Sequence, residues 1–244
     1  MYAKISLDFC NNHLGDFDIL KKMMELAAEN GVDIIKFQLY NPDKLNPKYP
    51  NYSEYKCVLD KCRVTEGMIS YIFDRCGKLK LHPMFTIFTK DRLASLKDYV
   101  DYSLKIASPD MLNTDLIDAC LKSKKPVWVS TGMHTKNEIA KIKMKYNSKV
   151  NFMYCISRYP TLESDIDYNT MLDFDGFSDH TKGVTAAKKA IAKNILLVEK
   201  HFTLSRYLPG KDHAMSMTPE ELEELMSWKK YRDSIETYKN RWVS

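Results

Sequence analysis

NILLVEKHFT, residues 194–203, sets the apolar run Ile195-Leu196-Leu197-Val198 against an abrupt Glu199-Lys200-His201. A short continuous apolar run reads as a strand buried on both faces, the habit of parallel sheets covered by helices. Charge at its end must reach water or serve a purpose. Alternate residues of a strand face the same way, so Glu199 shares a side with His201, and by the same parity Lys36 shares one with Gln38.

Seven other runs of this kind precede it: AKISLDF near the start, VDIIKFQ from Val32, PMFTIF from Pro83, DYSLKIAS from Asp101, PVWVST from Pro126, VNFMYC from Val150 and FDGFSD from Phe174. Longer segments with helical spacing lie between them. In DFDILKKMMELAAENG, Ile19, Met23, Leu26 and Ala27 recur at helical intervals, and Gly31 ends the pattern as a C-terminal cap would. In TPEELEELMSWKKYRDSIETYK, Thr218 as N-cap, Pro219 at the first helical position and acidic residues in the first turn mark a start. Eight alternations of strand and helix in a chain of 244 residues predict an α/β fold, a (β/α)8 TIM barrel formed as one domain over residues 1–244. A doubly wound open sheet is the alternative, but CNNHLG is a poor Gly-rich phosphate turn.

Composition narrows the function. The net charge of +5 comes from 37 basic and 32 acidic side chains spread along the chain, which suits a small-anion site better than a nucleic-acid groove. No run approaches the length of a membrane span. The six cysteines form no C-x-x-C pair and no zinc spacing, and with no signal peptide they read as free thiols of a cytoplasmic protein. Cys155 reads as packing, and the tyrosines Tyr40, Tyr49, Tyr52 and Tyr55 as an ordered surface loop or a lid.

In a (β/α)8 barrel, active-site groups project from the C-terminal ends of the strands. The polar residues gather there: Asp8 with Asn12 and His13, Lys36 with Gln38, Thr86 and Thr89, Lys105 with Ser108, Ser130, Cys155 with Ser157, Ser178 with His180, and Glu199 with His201. Lys36, Lys105, Thr86, Ser108, Ser130 and Ser178 at one mouth would make a donor cluster for a phosphate group with a carboxylate nearby. His180 and His201 would bind one divalent metal with open positions. Two hydrogen-bonded rim histidines are the alternative, weakened by their neighbouring strands and flanking carboxylates.

These residues carry a resemblance. NNHLGD, KFQ, KIAS, STGM, YPT at residues 159–161, FSDHTKG, EKHFTL and PGKDHAMS, in that order, resemble the sialic acid synthase (N-acetylneuraminate synthase) family with its legionaminic and pseudaminic acid relatives. The resemblance implies a metal-dependent transferase that condenses phosphoenolpyruvate with an open-chain, N-acetylmannosamine-like amino sugar to a nonulosonic acid and phosphate. It implies Mn2+ or Mg2+ on His180 and His201. It implies Lys36, Thr86, Lys105, Ser108, Ser130 and Ser178 around phosphoenolpyruvate, and Gln38, Asp110, Tyr159 and Asp212 around the sugar. Asp8, Lys36, Lys105 and Glu199 are the expected catalytic groups, with Asp8 handling a proton near the reacting carbons.

The pattern departs from the family in three places. Asp8 and Cys10 stand where a glutamate and a glycine are usual, and Pro109 intervenes between Ser108 and Asp110. The expected C-terminal antifreeze-like domain does not follow within the 244 residues, so a homodimer, or a separate C-terminal-domain partner, is the assembly left open. Two other functions stay open beside the synthase: a catalytically silent anion-binding barrel with a regulatory or scaffold role, and a phosphoenolpyruvate condensation on a different aldehyde.

Overall fold

The computed structural model describes residues 2–45 and 52–242, so Tyr49 of the expected tyrosine-rich loop lies outside the described residues. Eight parallel strands, β1 (Lys4–Asp8), β2 (Ile34–Leu39), β3 (His82–Ile87), β4 (Ser103–Ile106), β5 (Val127–Ser130), β6 (Asn151–Cys155), β7 (Gly176–Asp179) and β8 (Leu197–His201), close in sequence order into a barrel. Pairing of β8 with β1, with Ser6 opposite Glu199 and Asp8 opposite His201, removes the open-sheet alternative.

The helices are α1 (Phe17–Glu29), α2 (Tyr52–Cys62), α3 (Glu66–Leu79), α4 (Thr114–Lys122), α5 (Lys136–Tyr146), α6 (Thr185–Ala192) and α7 (Pro219–Trp242). α1 starts where the Asp16 carboxylate accepts from the amides of Asp18 and Ile19 at 2.8 and 3.1 Å, and the chain leaves it through Gly31 at φ +71°. Its buried stripe is Leu20, Met23, Met24 and Ala27; Ile19 and Leu26, expected on that stripe, sit at its edge, one position round the helix. α7 opens on a capping box, Glu221 accepting from the Thr218 amide at 3.0 Å while Thr218 Oγ1 accepts from the Glu221 amide.

Strict alternation of strand and helix fails twice. Between β3 and β4 only a 3₁₀ segment, Lys90–Leu96, forms, and it begins without a side-chain cap. Between β6 and β7 stand two 3₁₀ turns, Glu163–Asp165 and Thr170–Asp173. There Asp167 draws the amides of Asn169 and Thr170 onto its own side chain, both at 3.0 Å, which competes with helical pairing.

Strand parity divides the core. Ile5, Leu7, Ile35, Phe37, Phe85, Leu104, Val129, Phe177 and Val198 pack outward with the helices in one large cluster. Ile34, Met84, Met153 and Leu197, with Trp128 against them, form a separate small cluster that fills the barrel interior. Each lies two residues before a polar group at the mouth, so the alternation that places the apolar floor also places Lys36, Thr86, Cys155, Glu199 and Ser130 above it. No helix is long and apolar enough to cross a membrane among the described residues.

Candidate active site

A cavity of about 340 Å³ opens at the C-terminal end of the barrel. Asp8, Lys36, Gln38, Thr86, Lys105, Ser108, Ser130, Tyr159, Ser178, His180, Glu199, His201 and Asp212 all line it. Asp110 is the one expected site residue outside the lining. It is buried in the 3₁₀ turn Ser108–Asp110, and Pro109 faces the cavity in its place.

Register explains the convergence. Asp8 lies beside both Lys36 and His201, Thr86 lies beside both Gln38 and Lys105, and Ser178 lies beside both Cys155 and Glu199. Glu199, 2% exposed, is the hub: it accepts from Lys105 Nζ at 2.9 Å on both oxygens and from Ser178 Oγ at 2.9 Å, and pairs with Lys36 Nζ at 3.0 Å. Lys36 also pairs with Asp8 at 2.8 Å. The lysines are therefore interior charges, 4% and 2% exposed, and not solvated rim groups.

Their environments differ. Burial disfavours the Lys36 charge, but Asp8 and Glu199 together outweigh it and hold the ammonium above its ordinary value. Burial dominates at Lys105, which shares only Glu199 and has Lys36 as a like-charged neighbour, so its pKa is drawn down. Burial would raise Glu199, but Lys105 and Lys36 hold it far below the usual carboxylate range.

The third charge of the VEKHFT stretch goes elsewhere. Lys200 points away from the cavity and is buried against Asp179 at 2.9 Å and the Thr181 carbonyl at 2.7 Å. Asn12 also has a structural task, donating to the Phe202 carbonyl at 2.8 Å and to Ser216 Oγ at 2.9 Å. His13 is fully buried, which lowers its pKa to about 4.

His180 and His201 stand side by side, ring centroids 5.5 Å apart at 71°, with the Tyr159 ring 4.3 Å from the first and tilted by 39°. His180 Nδ1 is engaged by the Ile156 carbonyl at 2.8 Å, which leaves its other nitrogen for the cavity. The tight ligand group around His201 is a different one: Cys10, His201 and Asp212 offer donor atoms that all lie within 4.8 Å of one another. Burial lowers the His201 pKa, against the pull of Asp8 and Asp212, so the ring is a neutral ligand. The residues fit a divalent cation for three reasons. His201 Nδ1 is buried without a hydrogen-bond partner. The donors mix imidazole, carboxylate and thiol. Three carboxylates, Asp8, Glu199 and Asp212, face only two ammonium groups in the lining, so a bound cation would offset the excess carboxylate that an anionic substrate would otherwise meet.

Cys155 corrects the sequence reading. It lines the cavity, 3.8 Å from His180 Nδ1 and 3.7 Å from Ser108 Oγ. Burial opposes ionisation of its thiol, but His180, Ser108 and Lys105 outweigh it and draw the pKa down to about 7. The imidazole is 25 residues away in sequence and is brought close by β6–β7 pairing. Gly132, in the STGM motif, also has a physical reason: its amide donates to Ser108 Oγ at 3.0 Å, and a Cβ there would sit 2.7 Å from the Cys155 carbonyl oxygen.

The chain is similar to known proteins along most of its length. The NeuB family model matches residues 23–238. An uncharacterised protein of Methanocaldococcus jannaschii is 32% identical over 227 residues, 88% of this chain and 66% of that protein. The N,N'-diacetyllegionaminic acid synthase of Legionella pneumophila is 29% identical over 241 residues, 88% of this chain and 68% of that enzyme. Among solved structures, the N-acetylneuraminic acid synthetase of Leptospira borgpetersenii, in complex with citrate, superposes with a TM-score of 0.85 at 28% identity, covering 96% of this chain and 85% of that one. The chain spans about two thirds of the length of these curated relatives.

Proposed function

The chain belongs to the NeuB family, and from that premise we propose that it condenses phosphoenolpyruvate with an open-chain, N-acetylmannosamine-like amino sugar, giving a nonulosonic acid and phosphate. One observation carries the reading: Thr86 Oγ1 and Ser130 Oγ, both in the cavity lining, are buried and lack hydrogen-bond partners beside two buried ammonium groups. Polar atoms buried without partners are costly, and an anionic ligand would satisfy them.

In this reading Lys36, Lys105, Thr86, Ser108, Ser130 and Ser178 hold the phosphate and carboxylate of phosphoenolpyruvate. Gln38, Tyr159 and Asp212 hold the sugar, and Asp110, behind Pro109, shapes the turn that carries Ser108. His180 and His201, with Asp212, would hold a divalent cation, Mn2+ or Mg2+, which when bound supplies a Lewis acid for the aldehyde oxygen. The methylene carbon of phosphoenolpyruvate forms the new bond to the aldehyde carbon, water adds at the former enol carbon, and phosphate leaves by C–O cleavage. Asp8, fixed by Lys36 and by the Cys10 amide at 2.9 Å, takes the proton that the attacking water loses near the reacting carbons, matched by one gained at the aldehyde oxygen. Negative charge on the departing phosphate lies beside two preplaced ammonium groups, which stabilise it without reorganising. A silent anion-binding barrel would maintain this costly buried network without using it. The free cysteines fit a reducing, cytoplasmic setting.

The test is phosphate release from phosphoenolpyruvate with Mn2+ across a panel of aldoses. Release with N-acetylated amino sugars supports the proposal. Release with other aldehydes alone would replace the acceptor, and phosphoenolpyruvate binding without any release would favour the silent barrel.

A further inference from the structure

We propose that Cys10 is a thiolate ligand of the cation site, which makes that site favour thiolate-tolerant cations such as Zn2+, Co2+ or Fe2+ over Mg2+. The inference rests on the cation reading above and extends it to a residue outside the cavity lining.

Three separate parts of the fold meet at this point. Cys10 follows β1, His201 ends β8, and Asp212 opens the 3₁₀ turn Asp212–Ala214. Their donor atoms lie within 4.8 Å of one another. Cys10 is 1% exposed and its backbone takes φ +34°, the left-handed region where glycine is favoured. Its amide donates to Asp8 at 2.9 Å, which fixes the turn and with it the direction of the thiol. His201 independently points to a missing partner, because its Nδ1 is buried and unbonded in a residue only 8% exposed.

His201 and Asp212 also line the cavity whereas Cys10 does not. Cys10 would therefore join His201, Asp212 and His180 on the cation and leave its remaining positions open toward the substrate, as catalytic sites require. A sulfur donor shifts preference toward softer cations, since Mg2+ takes oxygen ligands almost exclusively. As the sulfur–metal bond forms, the thiol proton leaves to solvent, and no oxidant or reductant is involved.

The test uses the full chain, stripped with a chelator and titrated with Co2+ under reducing conditions. One equivalent should bind with a near-ultraviolet thiolate-to-cobalt charge-transfer band. The band should persist in Cys155→Ser, which removes the other thiol near the cavity, and vanish in Cys10→Ser and Cys10→Gly. Glycine suits the left-handed backbone, so that variant keeps the fold. Zn2+ affinity should fall about tenfold or more in both Cys10 variants, in line with losses on removing supports of metal sites, with Mg2+ affinity unchanged. Stoichiometric Co2+ binding without the band, or a band that survives Cys10→Gly, would overturn the thiolate and leave the cation reading standing. Failure of the unaltered protein to bind Co2+ at all would overturn both.

Discussion

Glu199→Gln is the most informative single change, because its cost is bounded from two directions. In the structure Lys105 has one carboxylate partner, Glu199, on which it makes both its ion-pair contacts at 2.9 Å, whereas Lys36 keeps Asp8 at 2.8 Å if Glu199 is neutralised. Removing one partner of a buried pair typically costs about 3–5 kcal/mol. Lys105 can also escape by losing its proton. Taking a lysine from an ordinary pKa near 10.4 to neutrality at pH 7 costs about 3.4 units at 1.36 kcal/mol each, or roughly 4.6 kcal/mol, which caps the damage. The two routes agree, so a loss of about 3–5 kcal/mol at pH 7 is expected.

The escape route leaves a signature. With Lys105 neutral when folded and protonated when unfolded, the unfolded state binds the extra proton, and stability rises with pH. The variant should therefore lose about 1.4 kcal/mol per pH unit as pH falls from 9 towards 7, until the folded-state pKa is reached. In the unaltered protein the lowered Lys105 acts in the same direction, while the depressed Glu199 stabilises above the ordinary carboxylate pKa and loses that contribution as pH falls through its folded value in strong acid. Urea unfolding of the metal-free protein across this pH range measures the Lys105 response. Glu199→Gln combined with Lys105→Met should recover at least half of the loss, since no unpaired charge remains. A single-variant loss below about 1 kcal/mol, a flat pH response, or no recovery in the double variant would refute the hub assignment.

Two further changes separate packing from site. Gly132→Ala places a methyl 2.7 Å from the Cys155 carbonyl oxygen and 2.8 Å from Ser157 Oγ. It should cost about 1–3 kcal/mol by urea midpoint, and a change within about 0.5 kcal/mol would show that the two loops separate freely. Lys200→Met strands the buried Asp179 and should cost about 3–5 kcal/mol, yet calorimetry on the folded variant should find phosphoenolpyruvate binding unaltered. Loss of that binding would put Lys200 in the site.

The strands were legible because the chain marks them twice, by apolar runs and by the polar residue that ends each one. In a closed barrel, parity turns alternation into inside and outside, and strand order turns eight sequence-distant ends into one ring, so Lys36, Thr86, Lys105 and Glu199 meet without any loop being known. Positions off the strands were less legible. Asp110 sits one residue past the proline that replaces it in the lining, and no periodicity reports which side of a 3₁₀ turn faces a cavity. The link between Cys155 and His180 depends on the register of β6 against β7 and on a ring turned toward the Ile156 carbonyl. The α1 stripe slid by one position because Ile19, Leu20, Met23, Met24 and Leu26 are all apolar, which leaves several faces nearly equivalent on sequence alone.

The abrupt charge of VEKHFT has two different explanations within three residues. Lys200 faces the helices and has its countercharge built in for good, on a neighbouring strand, where neither partner meets water. Glu199 faces the cavity and serves both lysines that the proposed substrate needs. In the free protein it holds the two ammonium groups ionised and in place, at a burial where a lone lysine would surrender its proton. An arriving phosphate and carboxylate bring their own countercharge, so the ammonium groups can accept new bonds without first being charged or moved. Glu199 is then best understood as a resident counter-ion that keeps the anion site assembled between turnovers, which is why its neutralisation should harm the empty protein more than the ligand-filled one.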